Sequence, residues 1–395
     1  MINKIIRQYL VLTGMFNLAV SLSLGTYVSF LISRGLNLFE VNLVNVAYFV
    51  AMFFFEIPTG AFADTFGRKN SYVISCVLFS LGMIVYSQSY TMAGFIGAEI
   101  LAGIGRTFGN GAYHAWFVDM LKHHGYKGTT APVFRKEQMV RQFVSIPGAI
   151  AGGYIGSLDL SYPWLVGGCM GIVVALLAWF IMKEDYFVRP PRMSLSASVR
   201  EMFRMAGQGM RFARKSKVVR LVVVMNALLA FAVQSPNMQW QPFFRSAVGN
   251  VAWFGYIWAG IATCIFIGIH ASAWVRTRIR DEPLAMAVSM VAAGIMLVCA
   301  VLSREYVIMA IALFLAHEIP RGAYAPIKDA YLNDHTDQRE RATVISCQSV
   351  FGHLACLSGL LLGGLAAEMV SISAAWLISG AILVAAPFII IRVMR

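Results

Sequence analysis

The chain has 395 residues, of which 58% are apolar and 13% charged, roughly half the charged share of an ordinary soluble domain. So little polar surface cannot coat a water-soluble globule of this length, which excludes a soluble enzyme or nucleic-acid-binding domain as the bulk of the chain. The formal net charge of +13 has to be read instead by where the basic residues fall.

Lys4 and Arg7 precede a long apolar stretch with no small-residue cleavage site, which predicts a retained first helix and not a removed signal peptide. A spanning helix needs about 20 apolar residues. Hydropathy predicts spans over 9–33, 40–65, 70–89, 92–120, 138–158 and 162–183, then over 218–243, 250–275, 283–302, 306–332, 342–367 and 372–393. The expected fold is all-α: twelve transmembrane helices in two six-helix halves, 1–183 and 218–395. A cytoplasmic linker, 184–217, joins the halves. Within it, Val199, Met202, Phe203, Ala206, Met210 and Ala213 recur at helical spacing, with Arg200, Arg204, Arg211 and Arg214 on other faces. This pattern predicts an interfacial helix on the cytoplasmic surface.

With the N-terminus inside, 27 of the 32 basic residues lie in or beside cytoplasmic segments. That asymmetry puts both termini in the cytoplasm, and the surplus charge then faces anionic lipid headgroups, not a nucleic acid. The six cysteines lie in apolar segments without a C-x-x-C pair, as small side chains packed between helices do. A phosphate-binding loop of the G-x-x-x-x-G-K-[ST] form is absent. His114, His123 and His124 do not share one helix face, so no metal and no cofactor is expected.

Span two ends in Gly60-Ala61-Phe62-Ala63-Asp64-Thr65-Phe66-Gly67-Arg68-Lys69. Gly60 and Ala63 are small enough for close helix approach. Asp64 can pair with a basic group or a neighbouring helix N-terminus. Gly67 permits a tight turn, and Arg68 and Lys69 reach the headgroups. The pattern G-x-x-A-D-x-x-G-R-K, on a short loop between the second and third spans, resembles the signature loop of the major facilitator superfamily. The resemblance implies that Gly60, Asp64, Gly67, Arg68 and Lys69 form a conformational latch between the halves. Around His270 to Arg280, the second-half counterpart, only Arg276, Arg278 and Arg280 remain.

Ionisable groups inside spans are functional candidates. Glu56 lies two residues before Pro58. Glu99, Arg106, Asn110 and His114 share one broad face of span four. Arg106 reads either as a functional cation or as a packing partner of Glu99 or Glu56. In span ten, Glu318 and Arg321 are three apart and can pair. Arg106 followed by Gly109 and Gly111 resembles the family's second signature, which ties that arginine to proton transfer. Proton coupling is thus expected of Glu56, Glu99, Arg106 and Glu318.

The same fold places spans one, four, seven and ten around a substrate cavity. Its expected lining is Asn17, Asn110, Tyr113, His114, Gln234, Gln239, Trp240, Arg321 and Tyr324. Gly111-Ala112-Tyr113 recurs as Gly322-Ala323-Tyr324, which suggests that the halves are parallel repeats. In span five, Pro147-Gly148 with Gly152-Gly153 resembles in part a motif of antiporting exporters; tight helix packing explains the same residues equally well.

The expected protein is not an enzyme. It is a monomeric, multi-pass secondary transporter of the plasma (cell inner) membrane whose partners are a small organic solute and protons. Efflux by antiport is the first reading, import of a polar or anionic metabolite the second. A receptor or scaffold lacks an extramembrane domain to signal through. The orientation predicts that Lys127→Cys reacts with a membrane-impermeant maleimide from the cytoplasmic side and Arg304→Cys from the opposite side. Labelling of both from one side would overturn the map.

Overall fold

A computed structural model describes residues 1–187, 216–335 and 338–394. Every regular element among them is an α-helix, as hydrocarbon demands of a chain that must satisfy its own backbone polar groups. The interfacial helix expected around Ser196 to Val218 lies outside the described residues except at its end, where Ser216 caps the next helix by accepting from the Val219 N–H.

The first half contains α1 (Ile2–Leu24), α2 (Tyr27–Ser33), α3 (Leu38–Phe66), α4 (Arg68–Gln88), α5 (Met92–Gly109), α6 (Ala112–His123), α7 (Ala131–Leu158) and α8 (Tyr162–Ile181). The second contains α9 (Lys217–Ala232), α10 (Gln234–Phe244), α11 (Ala252–Arg278) and α12 (Glu282–Leu302). It continues through α13 (Val307–Ala316), α14 (Glu318–Asp334), α15 (Gln338–Met369) and α16 (Ile372–Met394). Among the described residues, ten helical stretches are long and apolar enough to cross a membrane.

Sequence periodicity predicts spans one, four, seven and ten as single helices; each is interrupted. Two interruptions follow from proline. Pro236 stands four residues after Ala232, the last residue of α9, and Pro320 four after Ala316, the last of α13. Lacking an N–H, neither can supply the i to i−4 bond that would carry the helix on. The break between α5 and α6 falls at Gly111, whose φ of 75° suits a residue without Cβ. The repeated Gly-Ala-Tyr thus serves two purposes. Gly111 makes a break, whereas Gly322 sits inside α14, where a Cβ would come 2.5 Å from the Ile265 carbonyl oxygen.

By contacts the described residues form two compact units. The first comprises 1–34, 47–187 and 250–259; the second comprises the rest, including Gly35–Val46. In the first, α7 lies directly on α1, since a Cβ at Gly148 would fall 1.9 Å from the Ser21 hydroxyl and one at Gly152 1.8 Å from the Leu22 carbonyl oxygen. The span-five glycines are therefore accounted for by packing. In the second, the Leu38 N–H at the start of α3 donates to Glu368 (3.1 Å), and the Asn42 side chain closes on Gly364.

The close helix approach expected at Gly60 is not seen, because a Cβ there meets nothing within 4 Å among the described residues. Gly152→Ala should lower the melting temperature in detergent by the equivalent of about 1–3 kcal/mol. Gly60→Ala should leave it unchanged or raise it, since glycine inside a helix costs about 0.5–1 kcal/mol relative to alanine. Equal behaviour of the two would contradict this packing.

Candidate functional site

In the first unit α7 begins at Ala131, earlier than the predicted 138, so Glu137 and Arg141 stand one turn apart on its inward face. Glu137 is 2% exposed. Its Oε1 accepts from Arg141 Nε at 2.8 Å, and its Oε2 accepts from the Tyr9 hydroxyl. Having given its only proton to Glu137, that hydroxyl must accept from His114 Nδ1–H, 2.7 Å away. Tyr9 is clamped between Phe117 and Tyr113, with ring centroids 4.2 and 4.8 Å apart. The Tyr113 hydroxyl donates to the Tyr9 carbonyl (2.6 Å).

Beside this network lies a cavity of about 80 Å³ lined by Thr13, Asn17, Arg106, Asn110, His114 and Arg141, among others. The Arg106 guanidinium makes no ion pair or hydrogen bond among the described residues. Its expected packing partners lie elsewhere. Glu99 is seven residues up the same helix, about 10.5 Å along the axis, and accepts from the Tyr27 hydroxyl at 2.8 Å. Glu56 is exposed on α3.

The second unit builds its charged cluster where the two prolines interrupt the helices. Arg321 Nη1 donates to Glu318 Oε1 and to Asn237 Oδ1, each at 2.8 Å, so the pair expected of Glu318 and Arg321 forms. His317 and Glu318 are each 1% exposed. His317 Nδ1–H donates to the Phe314 carbonyl, which leaves Nε2 with a lone pair. That atom lies 3.6 Å from Glu318 Oε1, and neither it nor Glu318 Oε2 has a hydrogen-bond partner. His317 Nε2 and Glu318 Oε1 are thus two buried polar atoms close to each other without a hydrogen bond between them among the described residues.

The remaining predicted cavity residues are held in the interior of this unit. Gln239 Nε2 donates to the Gly363 carbonyl (2.9 Å), and Gln234 Nε2 donates to the Ala230 carbonyl (2.8 Å). Trp240 is buried and stacks on Phe314, and Tyr324 is buried. The two glutamine amides thus donate to backbone carbonyls, whereas Gln239 Oε1 and the Tyr324 hydroxyl are buried without a hydrogen bond among the described residues.

The loop after α3 is tied within its own unit. Gly67 takes φ of 99° as the N-cap of α4. The Glu184 carboxylate accepts from the Arg68 and Lys69 backbone N–H groups at 2.7 and 3.1 Å, where the helix dipole favours an anion. The Arg68 guanidinium pairs with Asp119 at the end of α6, and Lys69 Nζ sits 4.9 Å from the Trp179 ring centroid. Asp64, expected to pair with a basic group or a neighbouring helix N-terminus, is exposed and has no ion pair among the described residues, and the N-terminus of α4 is held by Glu184. In the second unit Arg276 Nε donates to Glu282 (3.0 Å), and Nη2 reaches Asp334 at the end of α14 (3.5 Å). A basic residue at the junction of two helices thus meets an acid at the end of a third in both units, although the second has lost the motif's own aspartate.

Tyr9, Glu137, Arg141 and Asp119 were not singled out by sequence for these contacts. The signal that could have found one pair is the i, i+4 spacing of Glu137 and Arg141 just ahead of an apolar run.

Apolar helices of spanning length, enclosing carboxylate, arginine and histidine side chains, define a polytopic membrane protein of the carrier class. The sequence profile of the Major Facilitator Superfamily matches residues 9–317 and 271–395, and the chain belongs to that family. An uncharacterised MFS-type transporter, YxaM, of Bacillus subtilis (strain 168) is 25% identical over 385 residues, covering 95% of this chain and 91% of its own. Multidrug resistance protein 2 of the same organism is 26% identical over 144 residues, 36% of this chain and 34% of its own. The crystal structure of the nucleoside transporter NupG superposes with a TM-score of 0.79 at 13% identity, covering 98% of each chain. A bacterial homologue of the human lysosomal transporter Spinster, inward-facing, gives 0.71 at 14% identity over 100% of this chain and 95% of its own. Identities this low speak for the fold alone.

Because Glu184 holds the N-terminus of α4, Glu184→Ala should destabilise the protein by about 1 kcal/mol, read as a lower melting temperature in detergent. An unchanged melting temperature would show that the cap does not hold the loop.

Proposed function

We propose that the chain is a secondary transporter that moves a small organic solute across the plasma membrane by alternating access, with protons driving efflux by antiport. In this reading twelve helices span in two covalent halves, 1–183 and 218–395. The ten apolar stretches are joined by the charged segments 92–123 and 131–158, both termini are cytoplasmic, and the protein works as a monomer. The basic cytoplasmic margins bind anionic lipid, and the Gly60 to Lys69 loop is the latch that changes partners between access states. Kinship with MFS-type and multidrug-resistance proteins supports the class.

The observation that carries proton coupling is the buried pair His317 Nε2 and Glu318 Oε1, 3.6 Å apart. One proton on either atom turns their mutual repulsion into a hydrogen bond. A proton on Glu318 also weakens its hold on Arg321, because the carboxylate loses its charge, and a proton on His317 competes with Arg321 for that carboxylate. A membrane-embedded group that can gain and lose a proton next to a movable cation is the physical requirement for coupling. Glu137, with Tyr9, His114 and Arg141, is a second buried carboxylate that can take part. Import of an anionic metabolite is the second reading, favoured by the uncompensated charge of Arg106.

Flux in proteoliposomes tests this. An inward proton gradient should accelerate wild-type efflux. Glu318→Gln and His317→Gln should remove the acceleration, and Glu56→Gln should retain it. Wild-type flux indifferent to the gradient, with Glu318→Gln transporting normally, would sink the coupling. Gradient-driven movement in the direction of the protons would identify import.

A further inference from the structure

We infer that the cavity beside Arg106 is a subsite for a single carboxylate group of the transported solute. The inference rests on the transporter reading and adds the chemical class of the cargo.

Charge accounting around the cavity leads there. Arg141 is neutralised by Glu137, and His114 contributes an N–H already given to Tyr9. Arg106 alone remains, a full positive charge with neither an ion pair nor a hydrogen bond among the described residues. Inside a membrane-embedded unit an uncompensated cation is costly, and such groups face a partner or a polar cavity. Here the guanidinium lines a cavity of about 80 Å³, room for the head of a ligand and not for a whole drug-sized molecule.

The other walls also offer donors. Gly109, Asn110 and Gly111 line the cavity where α5 gives way to α6. The first-turn N–H groups of α6 have no side-chain cap, so the positive end of that helix is open to an anion. The Thr13 hydroxyl, 2% exposed, lines the cavity beside Tyr113. A planar carboxylate matches the fork of a guanidinium, and one negative charge balances the one positive charge present. A doubly charged phosphate would leave an excess.

Chemical modification of the full-length protein in detergent tests this without measuring flux. Phenylglyoxal labels arginine, and peptide mass mapping follows Arg106 against exposed Arg304. Benzoate should slow modification of Arg106 and leave Arg304 unaffected, whereas the isosteric neutral benzamide should slow neither. In parallel, Arg106→Gln should melt no lower than wild type and should lose the stabilisation that benzoate gives wild type. The proposal is overturned if benzoate and benzamide act alike, if benzoate does not slow Arg106, or if phenyl phosphate protects better than benzoate. A lower melting temperature for Arg106→Gln would also overturn it, since the arginine would then be a packing group. Proton-driven flux with no carboxylate selectivity would leave the transport reading standing and remove only this one.

Discussion

In hydrocarbon a backbone carbonyl deprived of its N–H donor has no water to turn to, so an interrupted helix persists only where protein groups surround the interruption. The second unit depends on that constraint. Pro236 and Pro320 each remove the donor for the last carbonyl of the preceding helix. The residues beside them, Asn237 and Arg321, meet in a hydrogen bond. Glu318, the first residue after one break, takes the other side of Arg321. Backbone irregularity and buried charge thus occur together in this unit, with the polar side chains beside the breaks bonded to one another.

The first unit reaches a comparable arrangement by other means. Its break is made by Gly111 at positive φ, and its buried carboxylate comes from α7, outside the broken pair. The two units therefore do not repeat one another residue for residue, even though a basic residue at a helix junction meets an acid at another helix's end in each. Where the first unit uses Arg68 and Asp119, the second uses Arg276 with Glu282 and Asp334. Ion pairs this exposed contribute little stability on their own.

Much of this was readable from composition and order. Apolar runs of spanning length permit only helices, because their backbone groups have no other donors in lipid, and the Gly60 to Lys69 pattern was enough to mark the family. Gly67 and the pairing of Glu318 with Arg321 were equally legible, as each depends on neighbours three or four residues away. The two proline breaks were present in the sequence, but apolar periodicity runs through them and hides them.

What only the tertiary structure decided were partnerships between distant segments. Arg106 and Glu99 share a helix face on paper, yet the rise of the helix separates them, and a tyrosine from α2 takes the glutamate. Glu184, beyond the last span of its half, holds the N-terminus of α4, a contact that no local pattern announces. Gln234 and Gln239 look like cavity groups until their amides are seen donating to backbone carbonyls. Sequence by itself determined the helical class and the family, since those follow from local periodicity and the cost of polar groups in lipid, whereas buried Glu137 and exposed Glu56 appeared only in the structure. Which charge is matched and which is left over depends on side chains meeting across more than 100 residues of chain, as Tyr9 and Glu137 do, and no local pattern encodes that meeting.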